Sequence, residues 1–161
     1  MTQRLHLVSG RGQVIDPDGS VVHDTGWHLN SLADEGELSI LSVYFQDDAN
    51  PDKYLGLLTD DPAETDEMTD VVEQTGSGYA RIQIASGDWS TPTLDAGDYK
   101  TTAAEKVFGP ATGSPWSIKH AFLTTDLSGT AGLFINWVPL SGPTTINVGQ
   151  SFRYTLAVKV Q

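Results

Sequence analysis

The chain has 161 residues, no cysteine and a formal charge of −12, enough for one domain with a true core but without the means for a disulfide framework or a thiolate metal site. No apolar run approaches the roughly 20 residues of a membrane-spanning helix, and the Met-Thr-Gln-Arg start lacks the apolar segment of a signal peptide. Thirteen acids against one base, Lys53, lie between Asp34 and Glu73, and a surface of that sign repels phosphate, so neither nucleic acid nor a membrane is an expected partner.

From the N-terminus, Leu5, Leu7 and Val14–Ile15 lead into Asp16-Pro17-Asp18-Gly19 and then Val21–Val22. Proline presets φ for a type I turn and glycine accepts the left-handed position after it, so residues 4–24 read as a hairpin. Asn30-Ser31-Leu32-Ala33-Asp34-Glu35 offers a capping side chain and first-turn acids, and predicts a short helix toward Phe45. Residues 1–45 therefore form a hairpin and short helix ahead of a β core over 54–161, within one domain. Asp47 to Pro51 is a loop and Tyr54–Thr59 a strand. Asp60 to Asp70 reads as a polar surface segment with one helical turn toward Val71–Val72, and Gly76-Ser77-Gly78 releases the chain into an alternating strand, Tyr79–Ile84. Trp89, Leu94 and Tyr99 fall in a Gly- and Pro-rich connection that reads as irregular.

The last sixty residues carry the clearest pattern. Trp116, Ile118, His120 and Phe122 alternate, as do Leu133, Ile135 and Trp137, and then Phe152, Tyr154, Leu156, Val158 and Val160. A period of two is what a pleated strand with one buried face requires. The separators Asp126 to Gly129, Ser141-Gly142-Pro143 and Asn147-Val148-Gly149 have turn chemistry, with Gly149 placed for positive φ. With sixteen glycines and eight prolines spread along the chain, the expected fold is all-β: an antiparallel, jelly-roll-like β-sandwich with one or two short helices. Tyr79, Phe108, Trp116, Phe122, Trp137 and Phe152 are expected between its sheets.

Chemistry is harder to find. His6, His23 and His28 could approach one another in a hairpin, but their spacing matches no metal motif, and His120 alternates with apolar residues as a buried, satisfied histidine does. The pairs Asp47-Asp48, Asp60-Asp61 and Asp66-Glu67 lie in loops and lack the EF-hand order of calcium ligands. Nucleophile-elbow, phosphate-loop and H-E-x-x-H motifs are absent, so neither an enzyme nor a cofactor is expected.

Tyr54–Thr59, Gly76–Arg81, Ala103–Phe108, Trp116–Leu123, Gly132–Trp137 and Ile146–Phe152, in that order, resemble small structural proteins of tailed bacteriophages of the tail-fibre-like or minor capsid kind. The resemblance covers about residues 54–161 and rests on framework motifs. It implies a non-enzymatic β-sandwich of the virion, made in the host bacterial cytoplasm, with no catalytic residue to carry over. The expected role is a capsid decoration or cement protein bound to the major capsid protein or another virion protein. A tail, baseplate or fibre-attachment protein is the alternative, and a carbohydrate-binding sandwich the second. Analogy with virion accessory proteins implies a homo-oligomer, a trimer. Trp27 and Trp89, set among polar neighbours, and the acids Asp60, Asp61, Asp66 and Asp70 are the candidate partner-surface residues.

Overall fold

The computed structural model describes residues 8–29, 31–32, 52–90, 93–95 and 98–159. The chain opens with the expected hairpin, β1 (Val8–Ile15) and β2 (Val21–Leu29). Its turn is closed by Gly19 N–H donating to Asp16 O at 2.9 Å, with Gly19 at φ 88°. The expected helix over Asn30–Phe45 lies outside the described residues except for Ser31–Leu32, which form a strand, β3. Then follow β4 (Lys53–Leu58), β5 (Ile82–Ile84), a single 3-10 turn at Ser86–Asp88, β6 (Thr93–Asp95) and β7 (Asp98–Thr102). The chain closes with β8 (Lys106–Phe108), β9 (Trp116–Thr124), β10 (Phe134–Ile146) and β11 (Ser151–Lys159).

These strands form two antiparallel sheets in a sandwich. One runs β2-β1-β11-β7-β6, with β8 also beside β11, and the other β3-β10-β9-β4-β5. The core lies between them, where Val14, Phe108, Phe152, Tyr154 and Leu156 of the first meet Leu55, Leu57, Trp116, Ile118 and Ile146 of the second. Two glycines make room for it. A Cβ on Gly10 would lie 1.8 Å from the Tyr154 hydroxyl, and one on Gly12 2.2 Å from the Phe152 ring, so both rings lie across the bare backbone of β1.

Several sequence expectations change. The described residues hold no α-helix: Asp60 to Asp70 is a chain of turns. Only Ile82–Ile84 of the expected Tyr79–Ile84 strand is extended and paired, because Gly76, Ser77 and Gly78 all take positive φ (65°, 51° and 84°) and Tyr79 and Arg81 turn their polar ends to other segments. The connection expected to be irregular carries the β6–β7 hairpin, and Trp89 forms a bridge with Ala103. Ser141-Gly142-Pro143 is not a turn. The four residues 140–143 of β10 face only Lys119 of β9, pairing lapses after Pro139↔His120, and it resumes at Thr144↔Ile118. Two prolines without N–H groups and a glycine explain a bulge here.

The bulge coincides with a change of face. Trp116 and Ile118 point into the sandwich, but beyond the bulge it is Ala121 and Leu123 that do so. Phe122 and Trp137, expected between the sheets, belong instead to a second buried cluster with Leu58, Met68 and Phe134. Phe122, Trp137 and Gly56 pair side by side across β9, β10 and β4, and alternation places them on the outer face of the sheet. Tyr79 is only partly buried, packed against the inner core.

Candidate partner surfaces

The acidic segment is a flap over that outer cluster. Its ends are tied to β4 by Thr59 N–H to Val72 O and Gln74 N–H to Leu57 O, both 2.9 Å. Between these ties Met68, 2 % exposed, fills the space above Leu58, Phe122, Phe134 and Trp137, with Val71 packed beside it. The Phe134 and Trp137 rings stack at 5.4 Å. A methionine suits such an irregular gap.

A charged latch fixes the far end. Arg81, its side chain 2 % exposed, donates to both carboxylate oxygens of Glu73 at 2.8 and 2.6 Å and to the carbonyls of Asp126 and Gly129 at 2.8 and 2.7 Å. Its guanidinium carbon stands 5.4 Å from the Phe122 ring centre, within cation–π range. Tyr79 donates its hydroxyl to Glu73 at 2.6 Å and accepts from Leu57 N–H at 2.9 Å. Burial, then the Glu73 charge, pushes its ionisation well above the ordinary range. A groove of about 470 Å³ lies beside the latch, walled by Glu73–Gly76, Tyr79–Arg81 and Leu127–Gly129.

The near end is tied at two adjacent positions. His120 Nδ1 lies 2.9 Å from Asp60 O, and Lys119 Nζ donates to Asp61 at 2.6 Å. The sequence places His120 in the apolar alternation, and it is buried and hydrogen-bonded. Burial is the main cause of its lowered pKa. Asp66 and Asp70 accept from the amides of Ala63 and Glu67 at 2.8 and 3.0 Å, and Asp60 accepts from Val72 N–H at 2.9 Å. These acids thus fold the flap as well as charging it. With Asp61 and Asp70 exposed, the flap presents an acidic exterior on an apolar underside.

Trp27 and Trp89 separate. Trp89 is partly buried against the inner core, whereas Trp27 is 48 % exposed on β2. Of the histidines weighed for metal, His6 lies outside the described residues, His23 is exposed and His28 Nε2 lies 2.6 Å from Thr25 O. Among the described residues no three His, Asp or Glu side chains are grouped to hold an ion. Sequence reasoning missed Met68, Arg81 and Glu73. The available signal was one methionine and one arginine embedded in acidic or turn-rich surroundings; Glu73 is near Arg81 in sequence, but the carbonyls of Asp126 and Gly129 and the rings of Phe122, Phe134 and Trp137 beneath Met68 are too distant to identify.

The fold is therefore a β-sandwich framework whose distinctive features are outward-facing surfaces, as in a structural protein. A family comparison matches residues 34–159 to the family described as Podophage GP4 fiber I protein gp80, and the chain belongs to that family. It is a structural protein of the virion of a tailed phage. The resemblance drawn from the framework motifs points to the same class, and the match favours the fibre alternative over capsid decoration. A search of curated proteins finds no match.

Proposed function

We propose that the protein is a non-enzymatic component of a tail fibre that works by surface contact, with its acidic flap docked on a basic neighbour in the virion. The family match carries this reading: it is to a fibre protein, and it spans the whole flap and the latch that holds it. Seven acids and no base lie between Asp60 and Glu73. Displaying them on a fixed support rather than a loose loop favours electrostatic steering, since less ordering is needed on binding. Electron microscopy of particles carrying a labelled chain tests the position: density at the fibres supports the reading, and density on the head overturns it.

The docking part has its own test. Changing Asp60, Asp61, Asp66 and Asp70 to Asn retains an acceptor at each site, so the turns persist while the charge falls. Slower attachment with a flatter salt dependence is expected, and equal rates with equal salt slopes would remove the docking role. Self-association, as a trimer, belongs to the same proposal. Among the described residues β2 pairs only with β1, and a strand edge of this kind is covered by a neighbouring copy. Light scattering giving a monomer would count against it.

A further inference from the structure

The sheet that contains the hairpin has two open strand edges, at the same height on its opposite sides. Register links them: Asp24 of β2 faces Gln13 of β1, Gln13 faces Arg153 of β11, and Arg153 faces Val107 of β8. Asp24 and Val107 are thus the two ends of a single row that crosses the sheet at right angles to its strands. Among the described residues β2 is paired only with β1, and β8 only with β11.

The N–H groups of Ala103 and Ala111 donate to the carbonyls of Leu156 and Gln150 at 2.8 and 2.9 Å, so the even-numbered residues of β11 turn their backbone polar groups toward β8. Alternation then bonds Phe152 and Tyr154 to Phe108 and Lys106, and turns the N–H and C=O of Val107 away from the sheet. At the other edge Val21, Val22, His23 and Asp24 are all exposed, with Val22 the extra residue between the pairs Ile15↔Val21 and Val14↔His23. A second bulge, where Gly26 takes φ 72°, brings Asp24 and Trp27 to one face and ends this stretch. Val22 is 51 % and Val107 50 % exposed, and a β-branched side chain at a strand edge gains by packing against a neighbouring strand.

We propose that β2 of one copy adds beside β8 of the next, head to tail, and that three copies close into a ring through these edges. The inference rests on the self-association proposed for the fibre and supplies its interface. Direction selects a second copy as the occupant. Each neighbouring pair in β2-β1-β11-β8 is antiparallel, so β2 and β8 run in opposite directions. Rotation about an axis along the strands preserves those directions and makes the new pair antiparallel, the commoner kind. Height selects a ring: a head-to-tail contact closes when copy follows copy without an axial step, and the shared row meets that condition. Charge agrees. Asp24 comes to the end of the row that holds Arg153, of opposite sign, whereas pairing β2 with β2 brings Asp24 toward Asp24. The flap is tied to β4 of the other sheet, so joining here does not press the seven acids of one flap against those of another.

The chain has no cysteine, so introduced thiols report the contact directly. Treated with a short bismaleimide, the full chain carrying both Val22→Cys and Val107→Cys is expected to give a ladder of crosslinked products ending at three chains, and each single variant none. A crosslinked dimer from either single variant assigns like edges to each other and overturns the head-to-tail arrangement. A ladder that ends at another number, or runs on as an open filament does, overturns the three-copy ring. An oligomer by light scattering that gives no crosslink overturns this interface while leaving self-association in place, and a monomer overturns both. Val107→Lys is expected to shift the mass to that of one chain with an unchanged far-ultraviolet spectrum, and an oligomer of unchanged mass in that variant overturns the role of the β8 edge.

Discussion

Between the sheets, Leu57, Trp116, Ile118, Phe152 and Leu156 form a core closed by strands on both sides. On the outer face, Leu58, Phe122, Phe134 and Trp137 form a smaller one whose roof is a loop carrying Met68 and Val71. The first is held by apolar contact across two hydrogen-bonded layers, a non-directional force that increases with the area buried. The second has too little loop to do this and relies on directed contacts at its margins: Arg81 with Glu73, Lys119 with Asp61, and His120 with Asp60. One sheet can thus be buried on both faces although only one face has a second sheet. The outer cluster is the more sensitive to charge, pH and single polar substitutions.

The largest effect is expected from Trp116→Ala, which empties the inner core and removes the indole N–H bond to Ser77 O at 3.1 Å. It should cost about 3–5 kcal/mol in denaturant unfolding, with every amide of both sheets exchanging faster. A loss under about 1 kcal/mol would break the comparison by placing the main stability elsewhere.

Arg81→Ala should come next, at about 2–4 kcal/mol, because it leaves the Glu73 carboxylate with the Tyr79 hydroxyl but no cation, and two carbonyls without their donor, in a largely buried place. Its signature is local. Exchange of the Val72 and Gln74 amides should accelerate more than that of the β11 amides, and uniform acceleration would show that the latch stabilises the whole sandwich.

Two tyrosines sharpen the contrast between directed and non-directed support. Tyr79→Phe removes a hydroxyl that bonds Glu73 and Leu57 and should cost about 1–2 kcal/mol. Tyr154 is buried in the inner core with its hydroxyl unpartnered, and burial alone pushes its ionisation upward. Tyr154→Phe keeps the ring and removes an unsatisfied group, so stability should hold or rise by up to about 1 kcal/mol. Equal losses in the two variants would sink the distinction.

The smallest expected effect is of pH. The His120 pKa in the folded chain lies below its ordinary value of 6.5, so the unfolded chain binds the extra proton first. Its contribution is complete above 6.5 and is lost as pH falls through the folded value. Unfolding midpoints should decline across that window in the wild type and be flatter in His120→Gln. Asp61 and Asp88, lowered from 3.8 chiefly by hydrogen bonds from Lys119 and Lys106, act only at more acid pH, so the two stages separate. Identical slopes in wild type and variant near neutral pH would remove His120 from the account.

What the sequence determined by itself was local. The alternation in Phe152, Tyr154 and Leu156 matches buried positions of β11, Gly149 takes the positive φ expected of it at 88°, and Asp16-Pro17-Asp18-Gly19 makes its hairpin turn. These follow from dihedral preference and a two-residue period, which neighbouring residues set among themselves. The tertiary structure decided where that period changes phase. Phe122 leaves the face of Trp116 and Ile118 near a bulge that lies in the partner strand β10, and Asp24 joins Trp27 through the extra residue at Gly26. It also decided which polar groups meet. Arg81 reads as one face of a strand until the Glu73 carboxylate and the carbonyls of Asp126 and Gly129 surround it, and an acidic run reads as solvated until Met68 is seen beneath it. Such choices depend on segments tens of residues apart, because a buried charge or an unfilled hollow is satisfied by whichever group the fold brings within reach.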